Sequence, residues 1–358
     1  MGLRCGIIGL PNVGKSTLFN ILTGLNVPAK NFPFCTINPN YGFCSVFDNR
    51  LNEIVKITEP KSIVPAYIEF VDIAGLVKGA SKGLGLGNLF LDNIRKTNVI
   101  IHVVRCFHDS NVIHVNNVIQ PKDDIEIINM ELIFSDLNLC QQEILKLKKN
   151  KITLNKKKIQ LLELCCDVLE NGKFLNTLFF NEIKLNLLYD IKFITIKPVI
   201  YIANISVNNL DNFNIKKFIN SDLKENNIFI PISILHEYNL LNKKVKNSKN
   251  ISTLNHHTIL INKIVHAGYK LLNLHNFFTV GKKEVRSWPI PIGTNNFQAA
   301  KKIHTDIQKG FIRAQVVNYI DFIKFRGVIK AKQFGKLRYE GKNYIIQDGD
   351  IINFLFTS

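Results

Sequence analysis

The stretch GLPNVGKST, Gly9 to Thr17, narrows the possible folds more than any other part of the chain. It matches G-x-x-x-x-G-K-[ST]. A strand-like apolar run, Leu3 to Ile8, precedes it, and TLFNILTG follows, with Leu18, Ile21 and Leu22 at helical spacing before Gly24. Strand, glycine loop and helix in that order are the setting of a phosphate-binding loop. Gly9 and Gly14 let the backbone turn its N–H groups inward, at a helix N-terminus that favours an anion. Asn12, Val13, Gly14, Lys15, Ser16 and Thr17 are therefore the first candidate nucleotide-binding residues. Lys15 is expected to reach the β- and γ-phosphates and to stabilise charge in the reaction. The Ser16 hydroxyl is expected to ligate Mg²⁺, with Thr17 supporting the loop.

Other segments fit around that loop. AYIEFVDIAG ends a buried strand in Asp72-Ile-Ala-Gly75. An Asp-x-x-Gly so placed puts its carboxylate near the metal and its glycine N–H near the γ-phosphate. Between the two motifs, NFPFCTINPN offers Thr36 as a second hydroxyl for Mg²⁺. KGASKGLGLGN, with four glycines, reads as a switch loop rather than a helix interior. Leu76 follows Gly75, where a glutamine would orient the attacking water in Ras-like proteins, so another group or a partner must do that work.

The base-reading position is VIYIANISVNNL, residues 199–210. A guanine-specific loop would read Asn-Lys-x-Asp; here Asn204 is followed by Ile205, and Val207 stands where the aspartate would be. Val207 cannot accept from guanine's N–H groups, whereas the Asn204 amide carries donor and acceptor for an adenine edge. Asn204, Ile205 and Ser233, the last after the following strand, complete the nucleotide-binding set. The expectation is ATP over GTP.

The formal charge of +18 points to a polyanionic partner. No apolar run reaches the roughly 18 residues of a membrane span, and the N-terminal stretch lacks a leader pattern, so a soluble cytoplasmic protein without a membrane partner is expected. Seven cysteines without zinc spacing read as reduced thiols; Cys35 stands out because it neighbours Thr36. Charge alone permits DNA, but no helix-turn-helix or zinc pattern supports it.

Strand-like runs at Leu3–Ile8, Tyr67–Val71, Val99–Val104, Pro198–Ala203 and Ile228–Ile232 alternate with helical stretches, which predicts an α/β fold with a parallel sheet. Between the third and fourth runs, Leu137, Cys140, Ile144 and Leu147, then Ile159, Leu162, Cys166 and Leu169, predict a helical hairpin with the basic tip KKNKITLNKKK. The tail from about Asn276 predicts a small mixed sheet. Phe297, Ala300, Ile303, Ile307 and Phe311 form one helix stripe there, and YIIQDGDIINFLF reads as a hairpin turning at Asp348-Gly349. Residues 276–358 hold 14 Lys/Arg against 6 Asp/Glu. Arg313, Lys324, Arg326, Lys336 and Arg338 form a candidate RNA-facing patch.

GLPNVGKSTLFN, NFPFCTINPN, FVDIAGLVKGASKG, HVVRCF, HAGYKLLNL, KIHTDIQKGFIRAQ and DGDIINFLF together resemble the YchF-type, Obg-like ATPase family, in order and along essentially the whole chain. The resemblance implies a P-loop G domain (1–133 and 196–275), an inserted helical coiled coil (134–195) and a C-terminal β-grasp TGS domain (276–358). It implies a ribosome-associated ATPase acting as a nucleotide-dependent switch, with ATP and the ribosome or its rRNA as partners of an expected monomer. It offers His114, in FHDSNVIHV, for the water-positioning role, with His108 as its rival, whereas His102 in IIHVV reads as a core histidine. Some related NTPases hold K⁺ through an asparagine at the place of Asn12, so K⁺ joins Mg²⁺ as a candidate cofactor. The family's usual Asn-x-x-Glu is broken here by Val207. Two alternatives stay open: an Obg-type GTPase, and an RNA-binding regulatory factor that barely hydrolyses its nucleotide.

Overall fold

The computed structural model describes residues 3–24, 41–73, 86–109, 119–149, 155–178, 180, 182–209, 228–247 and 259–357. The chain divides into two compact units: Leu3–Cys44 with Glu69–Ile264, and Ser45–Ile68 with Val265–Ser358.

The first unit is built on a six-stranded sheet, ordered β2 (Tyr41–Ser45), β4 (Tyr67–Asp72), β1 (Leu3–Ile8), β5 (Val99–Arg105), β6 (Val199–Asn204) and β7 (Ile228–Ile232). The β1–β5, β5–β6 and β6–β7 pairings are parallel, as the alternating pattern predicts. Every residue of β5 and β6 is buried, which is why both read as continuous apolar runs. Strand β1 lies between β4 and β5, so the order reverses beside it and a crevice opens at the carboxyl ends of β1, β5 and β6.

Helix α1 (Lys15–Thr23) follows the phosphate loop, and α3 (Leu86–Arg95) precedes β5. Helix α4 (Pro121–Lys149) begins well before the expected hairpin. Pro121 opens it, Asp123 and Asp124 occupy its first turn and three lysines its last, which suits the helix dipole at both ends. It packs on α5 (Asn155–Glu170), the hairpin partner foreseen from periodicity.

At the amino ends of β5 and β6, buried polar groups close on one another. Asp136 of α4, fully buried, accepts from the Thr195 amide (2.7 Å) and hydroxyl (2.8 Å) and pairs with Arg95 at 2.8 Å. Lys197 donates to the carbonyls of Ile94 (2.6 Å), which also accepts from Thr97, and Arg95 (2.7 Å), at the C-terminus of α3.

The second unit holds a six-stranded mixed sheet: β11 (Arg338–Glu340), β10 (Phe311–Val317), β12 (Ile351–Phe356), β8 (Leu274–Val280), β9 (Glu284–Pro291) and β3 (Ser62–Val64). One face buries Phe277, Ile290, Ala299, Ala300, Val316 and Ile352. The other buries Phe278, Val285, Val317 and Ile351 with Phe322 and with Leu51 and Ile54 of α2 (Asn49–Thr58). Helix α2 and strand β3, which lie between the Thr36 and Asp72 segments in sequence, thus belong to the C-terminal sheet; β3 pairs in parallel with β9.

Two local expectations need correction. The stripe from Phe297 to Phe311 is not one helix: α9 (Asn296–Ile303) ends at His304, whose extended backbone and side-chain cap on the Asp306 amide start a separate α10 (Thr305–Lys309), and Phe311 opens β10. The turn at Asp348-Gly349 exists, with Gly349 at φ 86°, but Tyr344–Gln347 is not its partner strand. Strand β12 pairs instead with β10 and β8.

Candidate nucleotide site

The phosphate loop sits at the carboxyl end of β1. Gly9 (φ 147°) and Gly14 (φ 103°) occupy backbone conformations that side chains disfavour, and a Cβ on Gly14 would lie 2.9 Å from the Asn204 amide nitrogen. Helix α1 starts at Gly14 with no side-chain cap and no acidic residue in its first turn, so its N-terminal amides face the crevice without an anionic competitor.

Lys15 is only 8% exposed and donates to the Leu10 carbonyl at 2.6 Å. Burial pulls its ammonium down to about 8, against the raising effect of Asp72. A phosphate is the partner that would restore the full charge. At the end of β4, the Asp72 Oδ1 is buried without a hydrogen-bond partner among the described residues. An orphaned carboxylate oxygen beside Lys15, with the Ser16 hydroxyl in the cavity, fits a hard divalent cation such as Mg²⁺.

A cavity of about 650 Å³ runs from this loop to the ends of β5, β6 and β7. Asn12, Gly14, Lys15, Ser16, Thr17, Asn204, Ile205 and Ser233 all line it, so most predicted residues meet in one place. Val13 is buried beneath it, 1% exposed, and contributes its carbonyl. That carbonyl accepts from Asn204 Nδ2 at 3.0 Å, while Asn204 Oδ1 accepts from the Ile234 amide at 3.2 Å. Asn204 therefore ties the phosphate loop to the start of α7 (Ile234–Asn247) and, among the described residues, keeps one N–H and one lone pair for a ligand. Val207 lines the cavity at 46% exposure. Thr36, Gly75 and His114 lie outside the described residues, as does Cys35. The other six cysteines are free thiols, all but Cys106 buried.

Sequence reasoning missed one wall of this cavity. Phe107, His108 and Asp109 line it from the end of β5, and Leu235 and His236 from the start of α7; of these only His108 had been raised, as the rival of His114. The wall's shape comes from Arg105, 1% exposed, the last residue of β5. Its Nε donates to the Phe107 carbonyl (3.3 Å), its Nη2 to the Asp109 carbonyl (3.1 Å), and its guanidinium lies 4.8 Å from the Phe107 ring centre. An arginine ending an otherwise apolar strand was the available signal. His102, 2% exposed with its ring 5.3 Å from that of Tyr201 and tilted to it, is the core histidine expected; burial and the neighbouring Lys15 charge push it down to about 3.

Comparison with known proteins supplies an independent view. Residues 4–161 match a family model described as 50S ribosome-binding GTPase. Residues 274–357 match the YchF GTPase C-terminal family, described as a protein of unknown function. Over their full lengths, the chain is 52% identical to the ribosome-binding ATPase YchF of Buchnera aphidicola subsp. Schizaphis graminum and 46% identical to that of Escherichia coli O157:H7. Among solved structures, the Schizosaccharomyces pombe YchF GTPase superposes with a TM-score of 0.83 at 35% identity, covering 99% of this chain and 98% of that one. A GTP-binding protein from Pyrococcus horikoshii, 21% identical with a TM-score of 0.61, shares the fold over 99% of this chain. The relatives' names differ in the base: ATPase for the bacterial relatives, GTPase for the yeast structure.

Proposed function

The chain belongs to the YchF family of P-loop NTPases, and from that premise we propose that it is a ribosome-binding ATPase that hydrolyses ATP to ADP and phosphate and uses the nucleotide state as a switch. The observation that carries the choice of base is the pairing of Asn204, held by Val13 and Ile234, with an apolar Val207 where a guanine-reading carboxylate would stand. Among the described lining residues the single carboxylate is Asp109, on the β5 side of the cavity.

In this reading the G domain is 1–133 with 196–275, except that its segment 45–68 is lent to the sheet of the second unit; the helical insertion is 134–195 and the TGS domain 276–358. Lys15 leaves the Leu10 carbonyl for the β- and γ-phosphates, and the amides at the start of α1 hold phosphate oxygens. Mg²⁺ would be held by Ser16 and Thr36, with Asp72 acting on it from the end of β4, and would supply charge neutralisation. K⁺ beside Asn12 is a further cation of the proposal. The Gly75 amide senses the γ-phosphate, and His114 orients water; His114→Ala should keep ATP affinity and lose turnover by on the order of 10²-fold. Unchanged kcat in single-turnover assays would remove that role. No described helix is long and apolar enough to cross a membrane. The proposed protein works in the cytoplasm as a monomer, with the ribosome and not DNA or a membrane as its partner.

The deciding experiment is equilibrium binding of fluorescent ATP and GTP analogues with Mg²⁺ and K⁺ controlled, followed by turnover with and without ribosomes. ATP should bind more tightly. GTP binding tighter by more than about tenfold, or about 1.4 kcal/mol, would favour the Obg-type GTPase instead. ATP binding without turnover, with or without ribosomes, would leave a nucleotide-holding RNA-binding factor.

A further inference from the structure

In the second unit the face of the sheet that carries Val317 and Ile351 is packed at one end only. Beyond them the same face continues through Arg313 and Gln315 of β10, Asn353 and Leu355 of β12, and Tyr339 of β11. The register places Gln315 opposite both Asn353 and Tyr339, and Arg313 opposite Leu355. Arg313 and Asn353 are exposed, and Tyr339 is 47% exposed.

These side chains form a row. Asn353 Nδ2 donates to Gln315 Oε1 (3.0 Å), and Gln315 Nε2 donates to the Tyr339 hydroxyl (3.3 Å). The Arg313 guanidinium lies 4.5 Å from the Tyr339 ring centre. Its N–H groups make no hydrogen bond or ion pair among the described residues. Arg338, one position along β11 and on the opposite face, is the contrast. Its fork is spent on the Tyr344 hydroxyl (3.0 Å), Glu340 (3.4 Å) and Asp350 (3.7 Å). The sheet thus holds one structural arginine and one presented arginine.

Charge complementarity names the occupant. Glu340 is the single carboxylate on the three strands, and it is paired with Arg338. Lys324, Arg326, Lys330, Lys332 and Lys336, from the segment leading into β11, are all exposed and make no ion pair among the described residues. A planar cation on an aromatic ring, a row of amides and unspent ammonium groups suit splayed bases with their phosphates. A-form duplex hides its base faces and offers them nothing to stack on.

We propose that the open sheet face of β11, β10 and β12, formed by Tyr339, Arg313, Gln315 and Asn353, binds an unpaired RNA segment, its bases stacking on the Arg313–Tyr339 pair. This deepens the ribosome-binding reading, and its test is separable from it. The full-length chain is titrated against a short fluorescein-labelled single-stranded RNA and a matched duplex, read by anisotropy. Single-stranded RNA should bind on the order of tenfold more tightly than duplex. Tyr339→Ala and Arg313→Ala should each weaken it about tenfold, while Tyr339→Phe keeps most of it and basal nucleotide turnover stays unchanged in all three. Equal affinity for duplex, wild-type affinity in both alanine variants, or equally effective displacement by polyglutamate would overturn the proposal, the last pointing to an acidic protein instead. Cosedimentation of the wild type with ribosomes is read in parallel. Its failure would sink the ribosome reading while the RNA titration still decides the platform.

Discussion

Strands β5 and β6 join two ends of the first unit that treat buried polar groups in opposite ways. At the amino ends, Asp136, Arg95, Thr195 and Lys197 satisfy one another and the last carbonyls of α3. At the carboxyl ends, among the described residues, Lys15 rests on a carbonyl of its own loop, Asp72 keeps an orphaned oxygen, and Asn204 retains spare hydrogen-bonding capacity. The first end is closed and the second is waiting. Residues of one chemical class, even two buried lysines, therefore carry different consequences according to which end of a strand they follow.

Four changes test that contrast, beginning with the largest expected effect. Asp136→Ala leaves the Thr195 amide without its buried acceptor and takes from half-buried Arg95 its carboxylate partner, and should cost about 3–5 kcal/mol of stability. Urea denaturation measures it, and a loss within experimental error would mean the closed end is not structural. Lys15→Ala should do the reverse: little change in the urea midpoint, but a fall in kcat/KM of about 10²–10³-fold. A large stability loss there would erase the distinction between the ends.

The third test uses pH. Burial lowers Lys197 to about 7 against the pull of Asp136, whereas an unfolded lysine titrates near 10.4. Between those values the unfolded chain binds the extra proton, so this residue makes stability rise with pH. Its penalty is fully present below about pH 7. The window is best read from about pH 7 to about pH 8, because the buried thiols oppose the trend once unfolded cysteines ionise near 8.5. The wild type should gain stability across it relative to Lys197→Met; parallel curves would show that Lys197 carries no such shift. The smallest effect is expected from Arg105→Lys, which keeps the charge but loses the fork on Phe107 and Asp109. KM for the nucleotide should rise by roughly 5–15-fold with kcat less affected, about the value of one or two hydrogen bonds. An unchanged KM would mean that the β5 wall does not hold the nucleotide.

The same contrast explains what was legible in the sequence. The closed apolar strands announce themselves through runs such as VIIHVV and VIYIAN, and the phosphate loop through glycines whose conformation few other residues accept. Asn204 and Ser233 were legible because they end strands whose carboxyl ends converge. The wall of Phe107, His108 and Asp109 was not, because a buried arginine shapes it through backbone carbonyls, which no side-chain pattern records. The break at His304 was hidden because apolar spacing continues across the cap. Nor did the segment 45–68 advertise its destination: Leu51 and Ile54 mark an apolar helix face without saying which core receives it.

That segment governs how the chain can be cut. Helix α2 and strand β3 are encoded between the Thr36 and Asp72 stretches yet complete the C-terminal sheet and its core. A fragment ending near residue 264 would carry an orphaned helix with Leu51 and Ile54 bare, and one starting there would lack an edge strand and a packing layer. The two units are interleaved in the gene, so neither can be excised, shuffled or inherited as a single contiguous module.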